Sequence, residues 1–130
     1  MDLLCSFPEG YDLIVLRMHS EVHSEALGLY LFTAEPYSEN KYLNEQHYML
    51  VKKAYAHNYS EPVFAVNWMF VKRCMPEKFC NTTVIVMGCE GAFNMKLATE
   101  FLNQGAKAYI AWNGLVLPSH SSKVTLQLVE

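Results

Sequence analysis

Two apolar stretches decide how this chain is read: Asp12-Leu-Ile-Val-Leu-Arg-Met18, which runs into His19, and Thr82-Thr-Val-Ile-Val-Met-Gly88, which runs into Cys89. Each is short, rich in branched aliphatic residues and almost continuously apolar, the pattern of a strand buried on both faces of a parallel sheet. In an open α/β sheet, functional groups collect in the crevice beyond the carboxyl ends of the strands. An imidazole and a thiol brought to that rim by neighbouring strands would face each other as a Cys/His dyad. The strand over 12–18 is expected to be central in its sheet.

Outward from the second stretch, Gly91 allows a sharp turn after Cys89. Phe93, Leu97 and Phe101, with Ala98 and Leu102 beside them, predict an amphipathic helix over 93–104 that Gly105 closes. Lys107-Ala-Tyr-Ile-Ala-Trp112 is the next strand, ended by Asn113-Gly114, so 82–112 reads as a β-α-β unit with a right-handed crossover. The tail from Ser119 has two readings. Val124, Leu126 and Leu128 alternate as in a strand, whereas Ser119 or Ser121 ahead of Val124, Leu128 and Val129 reads as a capped helix, and the helix is preferred.

Outward from the first stretch, Phe7-Pro-Glu-Gly10 is turn chemistry, and Ser20-Glu-Val-His-Ser-Glu25 after His19 is a polar, solvated loop. Leu27-Gly-Leu-Tyr-Leu-Phe-Thr33 is a strand or hairpin arm that Glu35-Pro-Tyr-Ser38 ends. Leu43, Leu50 and Ala54, with Met49 and Val51, predict a helix from Tyr42 to Tyr55 that Ser38 or Asn40 caps. Asn58-Tyr-Ser-Glu-Pro62 is a loop and Val63-Phe-Ala-Val66 is extended. Asn67 is the N-cap of a helix over Trp68–Cys74 that stops before Pro76.

Composition sets the frame. The chain has 130 residues, 52% of them hydrophobic and 18% charged, which fits one globular domain over 1–130 with a substantial core. A formal charge of −3, with Lys and Arg scattered, gives no basic footprint, so nucleic acid is not an expected partner. No apolar run is long enough for a membrane span, and Asp2 stands where a signal peptide needs positive charge, so the expectation is a cytoplasmic chain. Four cysteines make no disulfide framework, and Cys5, Cys74 and Cys80 lack metal-ligand spacing, so reduced thiols and no cofactor are expected. The sequons at Asn58 and Asn81 are then coincidental.

Cys89 lies between a strand end and the helix predicted over 93–104, whose N-terminus would favour a thiolate and offer N–H groups to an oxyanion. Acyl transfer by a thiol needs a thiolate, a proton donor for the leaving amine and preorganised donors for the tetrahedral intermediate. Cys89, His19 and the backbone N–H of Cys89 supply these roles. A cysteine ending an apolar strand is ordinarily just core. What favours chemistry is the conjunction of two buried strands, two terminal reactive residues and the glycines of Gly88-Cys-Glu-Gly91.

His19-Ser20 after one apolar strand, and Gly88-Cys89 after another, resemble the caspase, gingipain, legumain and CHAT-type group (clan CD) of cysteine peptidases. Phe101-Leu-Asn-Gln-Gly-Ala-Lys-Ala-Tyr-Ile-Ala-Trp112 is similar to the helix, Gly-Ala turn and strand that follow the nucleophile in the gingipain and CHAT branches. The resemblance implies a caspase-like three-layer α/β/α sandwich with a mainly parallel central sheet. It implies a peptidase that acts on peptide or protein substrates, with His19 as general acid/base and Cys89 as nucleophile. A second oxyanion donor would be the backbone N–H of Ser20 or Glu21. Three departures stand out: Ser20 where the family usually has glycine, Met87 where branches cutting after Arg or Lys often carry an acid, and almost nothing ahead of Asp12. The last leaves a sheet edge bare, to be covered by a second copy or an upstream segment. The alternatives are a catalytically inactive caspase-like interaction module and a flavodoxin-like ligand binder.

Other candidates carry less. His19-Ser-Glu-Val-His23 has its glutamate out of place for a zinc helix, so no metal is expected. His47, His57 and His120 are assigned no role. Lys52, Lys53, Lys72 and Arg73 are read as solvated. Arg17, a charge inside an apolar strand, is expected to pair with Glu21 or Glu35, or to anchor a substrate carboxylate.

Overall fold

The stretch that ends in Cys89 becomes the middle strand of a parallel sheet in the computed structural model, which describes residues 10–56, 60–115 and 118–129. β1 (Leu13–Leu16) and β7 (Ala108–Ala111) flank β6 (Thr83–Val86), both in parallel register with it. Thr82 Oγ1 donates to the Tyr11 carbonyl, and the backbone N–H groups of Thr83 and Lys107 donate to Asp12 and Thr82, which aligns the three strands at their start.

Strand alternation gives this sheet one face buried in the core and one only partly covered. Leu16, Val84 and Val86, with Ile14, Tyr109 and Ala111, face the main core, where they meet Phe70, Val71, Leu97 and Phe101 of α2 (Trp68–Cys74) and α3 (Lys96–Asn103). On the opposite face, Leu13, Val15, Ile85 and Ile110 share grooves with Thr125, Leu126, Leu128 and Val129 of α4 (Pro118–Val129). The parallel part of the molecule is therefore three layers, and the tail is a helix, as preferred from sequence.

Four further strands form an antiparallel sheet in the order β2 (Ser20–Ser24), β3 (Gly28–Pro36), β5 (Val63–Val66), β4 (Val51–Ala54). The molecule is thus mixed α/β, and among the described residues the antiparallel sheet is the larger, against the expectation of a mainly parallel one. The polar stretch over 20–25 is a strand rather than a loop. Its residues alternate between half-buried (Ser20, Val22, Ser24) and exposed (Glu21, His23), as a strand with one solvated face requires.

The helix predicted from Tyr42 to Tyr55 is replaced by a short α1 (Leu43–His47) and then β4. Met49 takes a left-handed φ of 63°, which a continuous helix does not accept, and residues 51–54 pair with β5 instead. Among the described residues the strand that leads to His19 lies at the edge of its sheet, not at its centre. Among the described residues only β6 pairs with β1, and Leu13 and Val15 are each 41% exposed.

Asn67 behaves as read from sequence. Fully buried, it accepts from the N–H groups of Met69 and Phe70 at 3.1 and 3.3 Å and donates through Nδ2 to the Met49 carbonyl at 2.9 Å. The cap of α2 thereby fixes the bend that feeds β4. Tyr30 also donates to the Met49 carbonyl, and burial pushes its phenol up to about 12, opposed in part by Asn67. The turn residues before Gly10, His57 and the Asn58 sequon, and Cys5 lie outside the described residues.

Candidate active site

β1 and β6 pair Leu13 with Thr83 through Leu16 with Val86, a constant offset of 70. His19 and Cys89 keep that offset (89 − 19 = 70), each three residues past the last paired position on adjacent parallel strands. The Met87 N–H still donates to the Leu16 carbonyl at 2.9 Å, so the two strand ends leave the sheet side by side. Arg17, Met18, His19, Ser20, Met87, Gly88 and Cys89 line one groove of about 340 Å³ beyond the carboxyl ends of the strands. His19 and Cys89 thus belong to one groove at the strand ends, where an open α/β sheet collects functional groups. His19 is exposed, with its ring 6.4 Å from that of Phe32, and Cys89 is half-buried.

Two contacts hold the rim closed. The Ser20 hydroxyl donates to the Cys89 carbonyl, tying the start of β2 to the cysteine turn. Gly88 is buried where a Cβ would stand 2.5 Å from Ser20 Oγ and 2.8 Å from the Met18 carbonyl oxygen. Only glycine allows the two backbones this approach. Sequence reading marks Gly88 as a flank of the cysteine but gives no sign of this closeness, which arises from β1, a segment 70 residues away.

The turn carrying Cys89 is anchored from the other side by β7. The N–H groups of Glu90 and Ala92 donate to the carbonyls of Gly114 and Trp112 at 2.7 and 2.9 Å, and the Tyr109 hydroxyl donates to the Gly91 carbonyl at 2.6 Å. Gly91 sits against Ala111, where an added Cβ would come within 2.8 Å of the alanine methyl. Burial pushes the Tyr109 phenol well above its ordinary value.

One electrostatic expectation is corrected. α3 begins at Lys96, not 93, and a turn and a 3-10 segment over Phe93–Met95 separate it from Cys89. Asn94 and Met95 adopt left-handed φ of 40° and 63°, which breaks the helix before it reaches the thiol. Cys89 therefore does not directly precede the first turn of α3, contrary to the expectation from sequence.

The ladder sorts the two proposed second oxyanion donors. The Phe32 N–H donates to the His19 carbonyl at 2.9 Å, and the register pairs Ser20 with Leu31 and Glu21 with Tyr30. Hydrogen-bonded and open pairs alternate in an antiparallel ladder, so Glu21 falls in a hydrogen-bonded pair and the Ser20 N–H turns away from β3. Ser20 lies in a strand and is not among the residues with positive φ, so the backbone at this position does not require glycine.

Arg17 is exposed on the groove wall, and among the described residues no ion pair joins it to Glu21 or Glu35. The recorded partner of Glu35 is Lys41, at 3.9 Å. Among the described residues no group of three or more His, Cys, Asp or Glu is placed to hold a metal, and no helix is long and apolar enough to cross a membrane. His23, His47 and His120 are exposed and away from the groove lining, and Lys52 packs over the Tyr30 ring at 4.8 Å. No protein-family model, no curated protein and no solved structure matches this chain.

Proposed function

We propose that the chain is a caspase-like cysteine peptidase domain that hydrolyses peptide bonds through a His19/Cys89 dyad. The observation that supports this reading is the groove that His19 and Cys89 both line at the ends of two register-matched parallel strands, with Cys89 half-buried and His19 exposed.

In this reading the Cys89 thiolate attacks the scissile carbonyl carbon, and the carbonyl electron pair moves onto oxygen. The N–H of Cys89 and the outward-turned N–H of Ser20 receive that oxyanion. Protonated His19 gives its proton to the amide nitrogen as the C–N bond breaks, and the amine product leaves a thioester on Cys89. Neutral His19 then takes a proton from water as the water attacks the thioester. Collapse of the second tetrahedral adduct expels the thiolate and releases the carboxylate product. The Ser20 hydroxyl, bound to the Cys89 carbonyl, keeps the two strand ends at a fixed separation and leaves its own N–H for the substrate.

A peptide-library cleavage assay that compares the wild type with Cys89→Ala tests the reading. Cleavage that Cys89→Ala abolishes supports it, and equal rates in both proteins remove it. Among the described residues β1 pairs on one side only, and this open edge favours a second reading in which the same scaffold is an inactive module that pairs with another chain. That reading predicts no cleavage and a Cys89 no more reactive than Cys80.

A further inference from the structure

A second cavity, of about 220 Å³, lies on the α2/α3 side of the sheets and is walled by Leu16, Met18, Leu31, Phe70, Val71 and Phe101 among others. Its lining shares only Met18 with the dyad groove. Into this apolar wall β3 places one carboxylate, Glu35, which is only 5% exposed. The pairing of β3 with β5 slips between Phe32 and Pro36, and such irregularities re-aim side chains.

The polar atoms at this wall are almost all engaged. Thr33 Oγ1 donates to the Phe64 carbonyl at 2.7 Å and accepts from the Glu35 N–H at 3.2 Å. Glu35 Oε1 accepts from the Tyr42 hydroxyl at 2.8 Å and lies 3.9 Å from Lys41 Nζ. Glu35 Oε2 is buried and has no hydrogen-bond donor. A buried acceptor without a donor is costly, and a carboxylate oxygen in apolar surroundings gains most from a charged N–H donor.

We propose that this cavity binds a primary alkylammonium group, the Glu35 side chain turning its buried Oε2 toward the cavity to take the nitrogen, with a short hydrocarbon chain against Leu16, Met18 and Phe70. The volume falls below the ~300–1,000 Å³ of pockets for drug-sized ligands, which suits a small occupant such as a short-chain amine. A free small amine and a lysine side chain share this chemistry. The proposal does not depend on the dyad being catalytic.

The test is titration calorimetry on the full chain with n-pentylamine, n-pentanol and N-acetyl-lysine methylamide. The amine binds the wild type about ten- to a hundredfold tighter than the alcohol, and Glu35→Gln removes that preference. The amine-to-alcohol ratio in the wild type needs no variant, so it stands even if Glu35→Gln does not fold. Tight binding of the lysine derivative as well as pentylamine supports the proposal with a peptide side chain as the source; binding of pentylamine alone supports it with a free amine. Equal affinity for amine and alcohol, no binding of either, or a preference retained in folded Glu35→Gln overturns it.

Discussion

Gly88→Ala is the substitution that most directly probes how the two strand ends are held. The new methyl would stand 2.5 Å from Ser20 Oγ, 2.8 Å from the Met18 carbonyl oxygen and 3.1 Å from Ser20 Cβ, all inside the 3.4 Å at which ordinary contact begins. The serine oxygen could move, but only by giving up its bond to the Cys89 carbonyl, and the Met18 carbonyl belongs to backbone leading out of β1. Overpacking of this kind costs about 2–3 kcal/mol, which in a domain of this size lowers Tm on the order of 10 °C. Thermal and urea unfolding of the variant measure the loss, with Gly114→Ala as control. A Cβ at Gly114 meets nothing within 4 Å, so that variant stays within about 0.5 kcal/mol of the wild type. Adding Ser20→Ala to Gly88→Ala removes the nearest clash and leaves the backbone one, so the double variant recovers about 1 kcal/mol rather than all of it. A Gly88→Ala protein as stable as Gly114→Ala would refute the close approach.

Asn67→Ala removes the one oxygen that accepts both cap hydrogen bonds and the donor to the Met49 carbonyl, so stability falls by about 2–3 kcal/mol, read as a lowered urea midpoint. Ser20→Ala alone loses one partly buried hydrogen bond to the Cys89 carbonyl and costs about 1 kcal/mol, with the fold retained by circular dichroism. The Tyr30 phenol is raised in the folded state, so its contribution is fully present below the ordinary value of 10.0 and is lost as pH rises toward about 12. Melts across that window show falling stability in the wild type and a shallower fall in Tyr30→Phe.

What sequence shows of this fold follows from how local each determinant is. Asn67, the α2 stop before Pro76 and the closure of α3 by Gly105 are local chemistry, and each is found in place. The shared offset of His19 and Cys89 is also visible, because two similar apolar runs end in reactive residues at equal distances. The helix predicted over 42–55 fails because Leu50, Val51 and Ala54 satisfy burial equally well as a strand, and only pairing with β5 decides between them. β1 reads as central because its apolar run is continuous, yet Leu13 and Val15 face α4 and stay partly open. The gap between Cys89 and α3 depends on left-handed Asn94 and Met95, and Met95 carries no sequence cue for that conformation. Glu35 reads as part of a strand-ending turn, and its burial beside a cavity comes from the slip in β3 pairing.

The account rests on the partnership of His19 with Cys89, and the rate of thiol alkylation tests it most directly. Residue-resolved iodoacetamide labelling at neutral pH, with exposed Cys80 and half-buried Cys74 as references in the same chain, is predicted to modify Cys89 fastest and to slow at Cys89 alone in His19→Ala. Labelling of Cys89 no faster than that of Cys80, and unchanged by His19→Ala, would contradict it.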